Sequence, residues 1–554
     1  MIRSVTRTRV VSFAVTAAMS LSLPLTNIAF GSRDARADEA PPPTIAFVPL
    51  DDRPVTYQLP VQLGTIAGQP IVTPPRASIG SYLRPGDPDA IGRWLRGPRT
   101  RGIAALVAST DMIAYGGLVA SRIPGIGTGE AYVRLRDLAR LKTERSIGYV
   151  GVFGTIMRLA PTGVPRLGGA TNYYATGATV DEIGAYANLP DPPQTPEQQG
   201  KAQRLRERIG AATLDAYLAT RTRNRDVDAW ALQLTAEGGF DRIVIGQDDA
   251  GPTGLHLKDV ASLKRDARRF GLGDRASIEP GADELGMVML ARAFARNVGW
   301  TPTVAIAYSR PDGGAVNDEL EYVPIETTIA QIVRACGATR VEAGADIALY
   351  VRVAGTSASD ELAFEDRIAA DVARGRSVAV ADLTFLEGKP GAEQRALTQA
   401  LIDRGIAGKI DAFASWNTDA NTIGTALPEA IAVGAGRRAE RYDARAHAQF
   451  MLDRYIDDYA FHQFVRPSIN EVLRARDIDT TLLLPEVARE AASRNRNELW
   501  PYALDLLAKI YPQYRDAGLT ITLPWDRTFE AKIDVRLAPA PVPAVPTASA
   551  SPAP

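Results

Sequence analysis

Short apolar runs rich in β-branched residues recur along the chain, each followed by a Gly, Pro or Asp turn and then by a segment with helical periodicity. Continuous apolar runs that alternate with helices indicate parallel strands covered on both faces. The pattern therefore predicts an α/β protein. The predicted strands lie at residues 44–50, 70–73, 103–109, 147–153, 242–247, 276–279, 303–308, 346–352, 377–382 and 410–414.

The number of predicted strands favours one α/β architecture over another. Ten strands exceed the eight of a simple closed barrel, and 554 residues exceed the length that one core usually serves. Two doubly wound, Rossmann-like lobes fit these numbers better, and a decorated TIM-like barrel is the alternative. The composition, with 45% hydrophobic and 23% charged residues, is typical of a folded globular protein.

The first 37 residues have the pattern of a secretory signal peptide. Arginines precede an apolar stretch, and Ala35-Arg36-Ala37 matches an A-x-A cleavage site. We therefore expect an exported protein, periplasmic or extracellular, whose mature chain begins near Asp38; a membrane anchor is the alternative. No later apolar run has the length of a membrane span, so none is expected in the mature chain.

The remaining chain divides by changes in pattern. An N-terminal α/β lobe is expected at residues 38–300, with a helical insertion at 187–235 that begins as a Pro/Gln-rich loop. A second α/β lobe is expected at 301–435. A helical and short β segment is expected at 436–537, followed by a disordered Pro/Ala-rich tail at 538–554.

Several functional classes lack support in the sequence. Lys plus Arg is 63 against 64 for Asp plus Glu, without a concentrated basic stripe, so nucleic acid is not an expected partner. The single cysteine, Cys336, excludes an intrachain disulfide and is expected to be a core thiol. The three histidines have no metal-ligand spacing, and neither a G-x-S-x-G elbow nor a nucleotide-binding glycine motif follows a strand. Catalysis is therefore expected to rest on carboxylates, without a cofactor.

Carboxylates follow several predicted strands at the point where each strand ends. Ligands of parallel α/β folds bind at the carboxyl ends of the strands, so this position predicts a site. Adjacent acids are redundant as helix caps, which favours function for the paired aspartates. Asp111 and Asp283 have the alternative role of N-caps, and Glu284 that of favouring a helix dipole. The candidate catalytic residues are Asp51, Asp52, Asp111, Asp248, Asp249 and Glu284.

Cationic, aromatic and amide side chains near the same strand ends are the candidate substrate contacts. A tryptophan on the rim of a site stacks on a ligand ring, and an asparagine supplies directional hydrogen bonds. For Trp416 and Asn417, a core tryptophan with a capping asparagine is the alternative. The candidate substrate-binding residues are Arg53, Tyr115, Arg122, Arg158, Gln247, Trp416 and Asn417.

Six separated segments carry a resemblance to a known family. They are "FVPLDDRPV", "STDMIAYGGLVASR", "IMRLAPT", "GQDDAG", "GADELGMVMLAR" and "SWNTDANTIGTAL". Together they resemble the bacterial proteins grouped as domain of unknown function 4127, over roughly residues 44–530. The resemblance implies one recurrent design for these segments and no particular reaction, so the functional hypothesis rests on the residues.

The leading hypothesis is a secreted hydrolase that cleaves a glycosidic bond of a small-molecule or glycan substrate by Asp/Glu acid–base chemistry. Such hydrolysis needs two carboxyl groups, roughly 5–5.5 Å apart for retention or about 6.5–9.5 Å for inversion, and no metal. One alternative is an exported protein that binds a sugar or other polar ligand without turnover. Another is a hydrolase whose Mg²⁺ or Ca²⁺ is held by Asp51, Asp52, Asp248 and Asp249.

Overall fold

Two open parallel sheets form the framework of the chain. The computed structural model describes residues 42–162, 177–317, 319–384 and 392–540. The first sheet contains β1 (Ile45–Val48), β2 (Ile71–Val72), β3 (Ala105–Ser109), β4 (Tyr149–Ile156), β5 (Arg242–Gln247) and β6 (Ala276–Pro280). The second contains β7 (Thr303–Tyr308), β8 (Thr339–Arg340), β9 (Ile347–Arg352), β10 (Ser377–Asp382) and β11 (Ala412–Ala414).

Helices connect these strands and continue beyond them. Up to the end of the first sheet they are α1 (Leu59–Ile66), α2 (Pro88–Leu95), α3 (Thr110–Tyr115), α4 (Leu118–Ser121), α5 (Thr128–Glu144), α6 (Gly177–Ala187), α7 (Pro196–Ile209), α8 (Ala211–Ala236) and α9 (His256–Arg269). From there on they are α10 (Leu285–Asn297), α11 (Ile325–Ala335), α12 (Ala358–Ala373), α13 (Ala392–Asp403), α14 (Asp419–Arg438), α15 (Ala444–Arg454), α16 (Arg466–Arg474) and α17 (Pro485–Ile510). Pro54–Gln58 and Tyr455–Val465 are π-helical.

The two sheets share one strand order. The first runs β2-β1-β3-β4-β5-β6 and the second β8-β7-β9-β10-β11, with neighbouring strands parallel. In each, the chain places its second strand on one side of the first and then crosses to the other side, which creates a switch point where ligands commonly bind. The predicted α/β fold with two doubly wound sheets is confirmed, and both sheets are open rather than closed into a barrel.

One hydrophobic core includes buried residues of both sheets. Phe47 of β1 and Leu349 of β9 belong to it, while Ala46 and Val48 of β1 face a second core on the opposite side of the first sheet. The helices α10 and α14 pack against each other, α10 lying against β3 and β4 and α14 against β10 and β11. Apolar side chains on both faces explain why the strands read as continuous apolar runs.

The strand positions read from the sequence are confirmed throughout. Each of the ten predicted strands is present, and the two-residue β8 is an addition that has no sequence run of its own. Within the predicted insertion, α8 covers the first sheet beside α5 and α9, whereas α6 and α7 pack mainly on each other. Cys336, just after α11, is buried, and burial raises the pKa of its thiol.

The C-terminal part is helical and ends in two short antiparallel pairs. They are β12 (Tyr514–Asp516) with β15 (Leu537–Pro539), and β13 (Thr520–Thr522) with β14 (Lys532–Asp534). The predicted tail begins within β15, and its remainder from residue 541, like the predicted signal peptide, lies outside the described residues. In the ranges given above, no helix is both long and apolar enough to cross a membrane.

The contact between α10 and α14 generates a stability prediction. A Cβ added to Gly424 of α14 would overlap Cγ of Glu284 and lie 2.9 Å from its Cβ, both close to the backbone. We expect Gly424→Ala to lower the free energy of unfolding by about 1–3 kcal/mol through overpacking. Denaturant unfolding measures the change.

The matched control is Gly92→Ala in α2, where the nearest atom to the new Cβ is Nη1 of Arg96, at 3.9 Å. Without a clash, the lower entropy of alanine in the unfolded chain is expected to stabilise this variant by about 0.5–1 kcal/mol. A stabilised Gly424→Ala variant would contradict the close approach of α10 and α14.

Candidate functional site

A cleft of about 770 Å³ lies beyond the carboxyl ends of the first sheet. The loops after β1, β4, β5 and β6 line it, together with Asn417 from the loop after β11. α16 and the segment between β13 and β14 supply further lining residues. The charged residues along the cleft are Arg53, Arg122, Arg158, Asp181, Asp248, Asp249, Asp283, Arg466, Arg474, Asp479 and Arg527.

Arg53 is paired with two carboxylates, Asp51 and Asp283. Its Nη2 lies 2.8 Å from Oδ2 of Asp51, and its two terminal nitrogens donate to both oxygens of Asp283 at 2.8 and 2.6 Å. Burial opposes its charge, but Asp283 and Asp51 raise the pKa of Arg53 well above its usual value. The end of β1 is thereby tied to the start of α10.

Asp52 turns to a different partner. Its Oδ1 accepts a 2.8 Å hydrogen bond from Nε1 of Trp525, in the segment between β13 and β14. The Trp525 ring stacks on Tyr82 with centroids 4.7 Å apart, and the Arg527 guanidinium lies 4.5 Å from the Trp525 centroid and 4.9 Å from that of Phe529. We call Tyr82, Trp525 and Phe529 the aromatic wall of the cleft.

Asp248 and Asp249 follow β5 and have different surroundings. Asp248 Oδ2 is bound by Nη2 of Arg122, whose Nη1 donates to Oγ1 of Thr162 at 2.9 Å. Burial and the neighbouring Asp248 raise the pKa of Asp249 to about 7. Asp249 also has a φ of 27°, a left-handed conformation that non-glycine residues rarely adopt and that recurs at functional sites.

The side chain of Arg158, after β4, donates one hydrogen bond to the described residues, from Nε to the Ala160 carbonyl at 2.7 Å. Burial and the nearby Arg122 lower the pKa of Arg158 to about 10, so it remains cationic at neutral pH. Within the described part of the chain, no carboxylate hydrogen-bonds to its terminal nitrogens.

Two of the candidate acids are buried behind the cleft. Asp111 accepts hydrogen bonds from the backbone N–H of Thr155 at 2.9 Å and its hydroxyl at 3.1 Å, and burial raises its pKa to about 7. Ser109, rather than Asp111, caps α3. Glu284 accepts from Nδ2 of Asn421 at 2.6 Å, and burial raises its pKa to about 8.

Three candidate substrate contacts also lie beneath the surface of the cleft. Tyr115 is buried, with Arg223 4.5 Å above its ring. Gln247 donates to the Asp248 carbonyl at 2.8 Å. Trp416 is buried and donates from Nε1 to Thr425 at 3.1 Å, as in the core-tryptophan alternative. Asn417, the next residue, does line the cleft.

Sequence reasoning missed the lining contributed by α6, by α16 and by the C-terminal segment. Its only signal was the cluster "PWDRTF", which places two aromatic residues and an arginine between two short strands. Reasoning from strand ends identifies only residues in the loops of the parallel sheets. The missed residues lie within α6 and α16, in the loop after α16, or between two antiparallel strands. The residues missed include Asp181, Arg466, Asn470, Arg474, Asp479, Trp525, Arg527 and Phe529.

The four aspartates of the divalent-metal alternative do not form one group. Asp51 and Asp52 are hydrogen-bonded to Arg53 and Trp525. Throughout the described ranges, no set of three or more His, Cys, Asp or Glu side chains is arranged to hold a metal ion.

A family model described as "Protein of unknown function (DUF4127)" matches residues 45–534. The chain belongs to this family. No curated protein matches the chain. Each of the six segments that carry the resemblance contributes to the cleft, through Arg53, Arg122, Arg158, Asp248, Asp283 and Asn417 among others. The shared segments of this DUF4127 member therefore converge on one place in the structure.

Asp111 provides a test of the electrostatics behind the cleft. Because the pKa of Asp111 is raised to about 7, the folded chain binds this proton more tightly than the unfolded chain, in which an Asp has a pKa of about 4. Stability is therefore lost as pH rises through this interval and stays lower above about 7. Asp111→Asn keeps an acceptor for Thr155 and removes the titration.

Between about pH 5.5 and about pH 8, the free energy of unfolding of the unmodified chain should fall. We expect that fall to be about 2 kcal/mol smaller in Asp111→Asn. Denaturant unfolding at both pH values measures this. Asp215→Asn, on the exposed side of α8, is the control and should follow the unmodified chain. An identical pH dependence for all three proteins would contradict the buried, protonated state.

Proposed function

We propose that this chain is an exported hydrolase that cleaves a glycosidic bond with carboxylate acid–base chemistry. The observation that carries the proposal is the pair Asp248 and Asp249, which line one cleft in contrasting electrostatic environments. Acid–base hydrolysis requires one protonated and one ionised carboxyl group at working pH. The aromatic wall adds the kind of surface on which sugar rings stack.

Asp249 is the general acid in this proposal. A pKa of about 7 leaves a substantial fraction of it protonated at neutral pH, as a proton donor to a leaving-group oxygen must be. Burial is the main cause of the raised pKa, and the negative charge of Asp248 adds to it. Its left-handed backbone conformation is one that clusters at active sites.

Asp248 is the ionised partner. Arg122 holds its Oδ2, while Oδ1 accepts no hydrogen bond from the described residues. That oxygen is free to activate water or to attack the sugar carbon. Asp283 also lines the cleft, but both of its oxygens are bound by Arg53, so we assign it to positioning that arginine.

Hydrolysis by this pair is balanced without another reactant. The bond from the sugar carbon to the leaving oxygen breaks, and the leaving oxygen takes the proton of Asp249. A water oxygen forms the new bond to the sugar carbon, and the proton that this water releases returns to the carboxylate pair. The alternative, an exported binding protein, would bind the sugar and release no product. A divalent-metal hydrolase differs in losing its activity when the metal is removed.

Replacing Asp249 with Asn tests the acid. We expect a 10²–10⁴-fold loss of kcat/KM, roughly the contribution of a positioned proton donor, with little change in melting temperature. In the unmodified enzyme, kcat/KM should fall as pH rises through about 7, because the protonated form of Asp249 is lost. Asp248→Asn should also lose activity, whereas the surface variant Asp215→Asn should retain it.

The measurement is a glycan-library hydrolysis assay with all three variants, each with and without EDTA. Activity that survives in Asp249→Asn would contradict the assignment of Asp249 as the general acid. Binding without product across the library would favour the exported binding protein, and activity lost to EDTA would favour a metal-dependent reaction.

Export is a separate prediction. We expect the exported chain to begin near Asp38, since an arginine-bearing start, an apolar stretch and an A-x-A site occur in order. Cell fractionation followed by mass spectrometry of the purified chain gives its first residue. Recovery from the cytoplasm with residues 1–37 intact would contradict this expectation.

A further inference from the structure

The arginines of the cleft differ in how their charges are balanced. Arg53 is paired with Asp51 and Asp283, and Arg122 with Asp248. Arg527 donates from Nη2 to Oε1 of Glu530 at 2.6 Å. These three guanidinium groups therefore have an internal counter-charge.

Among the described residues, Arg158 and Arg474 have no such partner. Neither forms an ion pair with a carboxylate of the described residues, although both line the cleft. Arg474 is exposed at the end of α16, so water solvates it. Arg158 is partly buried, and its lowered pKa reflects both burial and the repulsion of Arg122. An added anion stabilises a partly buried cation of this kind more than it stabilises a cation that water already solvates.

Arg158 also lies beside the proposed reacting groups. Arg122 and Arg527 lower its pKa, whereas Asp248 and Asp249 raise it without forming an ion pair with it. Its Nε is held by the Ala160 carbonyl, which leaves two terminal nitrogens in a fixed fork. Such a fork matches the paired oxygens of a carboxylate or a sulfate.

We infer that the substrate of this cleft is a saccharide bearing an anionic group, a carboxylate or a sulfate, that is bound by Arg158. That the ligand is a saccharide rests on the proposed function. That it carries a negative charge rests on the absence of an ion pair at Arg158 among the described residues. The sugar ring lies against the aromatic wall, and the anionic group lies next to Asp248 and Asp249. Arg474 adds positive charge at the exposed end of α16.

A neutral sugar fits this arrangement less well. It would displace water from Arg158 without supplying a counter-charge, and desolvating an unpaired cation is costly. A carboxylate or sulfate replaces that water with charge-assisted hydrogen bonds. The structure therefore favours acidic over neutral substrates of the same shape.

Binding is tested with the full chain in an Asp249→Asn background, so that it is measured apart from turnover. The probes are oligosaccharides of uronic acids, their methyl esters of equal length, sulfated oligosaccharides with their unsulfated counterparts, and inorganic sulfate and phosphate. Calorimetry measures Kd at two salt concentrations. The uronic-acid and sulfated pairs distinguish the two sources of the anionic group.

We expect an acidic member to bind at least 10-fold more tightly than its neutral counterpart, and more weakly at higher salt. Adding Arg158→Gln should weaken that binding roughly 10- to 100-fold. It should not weaken binding of the neutral counterpart, because no unpaired cation is then desolvated. Arg158→Lys, which keeps the charge and loses the fork, should lie between. Arg204→Gln, on the exposed side of α7, is the matched control and should bind as the background does.

The inference is overturned by equal binding of acidic and neutral members, by no binding of any acidic member, or by acidic binding that is unaffected by Arg158→Gln. Inorganic sulfate or phosphate binding as tightly as the oligosaccharides would also overturn it, because the site would then recognise a free anion. Charge-dependent binding through Arg158 without hydrolysis by the unmodified chain supports the anion contact while rejecting the proposed hydrolase.

Discussion

The burial of Arg53 between Asp51 and Asp283 is the interaction on which the cleft depends. Removing one partner of a buried ion pair leaves an uncompensated charge and costs about 3–5 kcal/mol. Here the pair joins the end of β1 to the start of α10, the helix packed against both the first sheet and α14. The floor of the cleft is thereby fixed to the core shared by the two sheets.

The adjacent aspartates after β1 are thus divided between two tasks. Asp51 holds Arg53, and Asp52 holds Trp525, a residue 473 positions away in the sequence. Gln58, a few residues later, donates to the Ile533 carbonyl at 2.6 Å. The segment that follows the first strand therefore anchors the C-terminal segment that carries Trp525 and Phe529. The pair after β5 differs, because one of its carboxyl groups is left without a strong cationic partner.

The sequence was a better guide to the backbone than to the direction of side chains. Strand positions follow from local apolar runs, and all ten were predictable because both sheet faces are buried. Tyr115 and Trp416 stand at the expected strand ends, yet they are buried, since Arg223 and Thr425 offer them partners inside. Trp525 was not predictable, because its place depends on a long-range hydrogen bond that no local period encodes.

The proposed acid and the proposed anion contact are electrostatically linked. The positive charge of Arg158 lowers the pKa of Asp249, opposing the effects of burial and of Asp248. In the proposed complex, an anionic group bound to Arg158 would offset that charge, and Asp249 would hold its proton more firmly. By reciprocity, protonated Asp249 would favour binding of the anion. In such a cleft the pKa of Asp249 would be highest when a charged substrate is bound. Binding of the substrate would then bring the leaving-group oxygen to an acid that holds its proton.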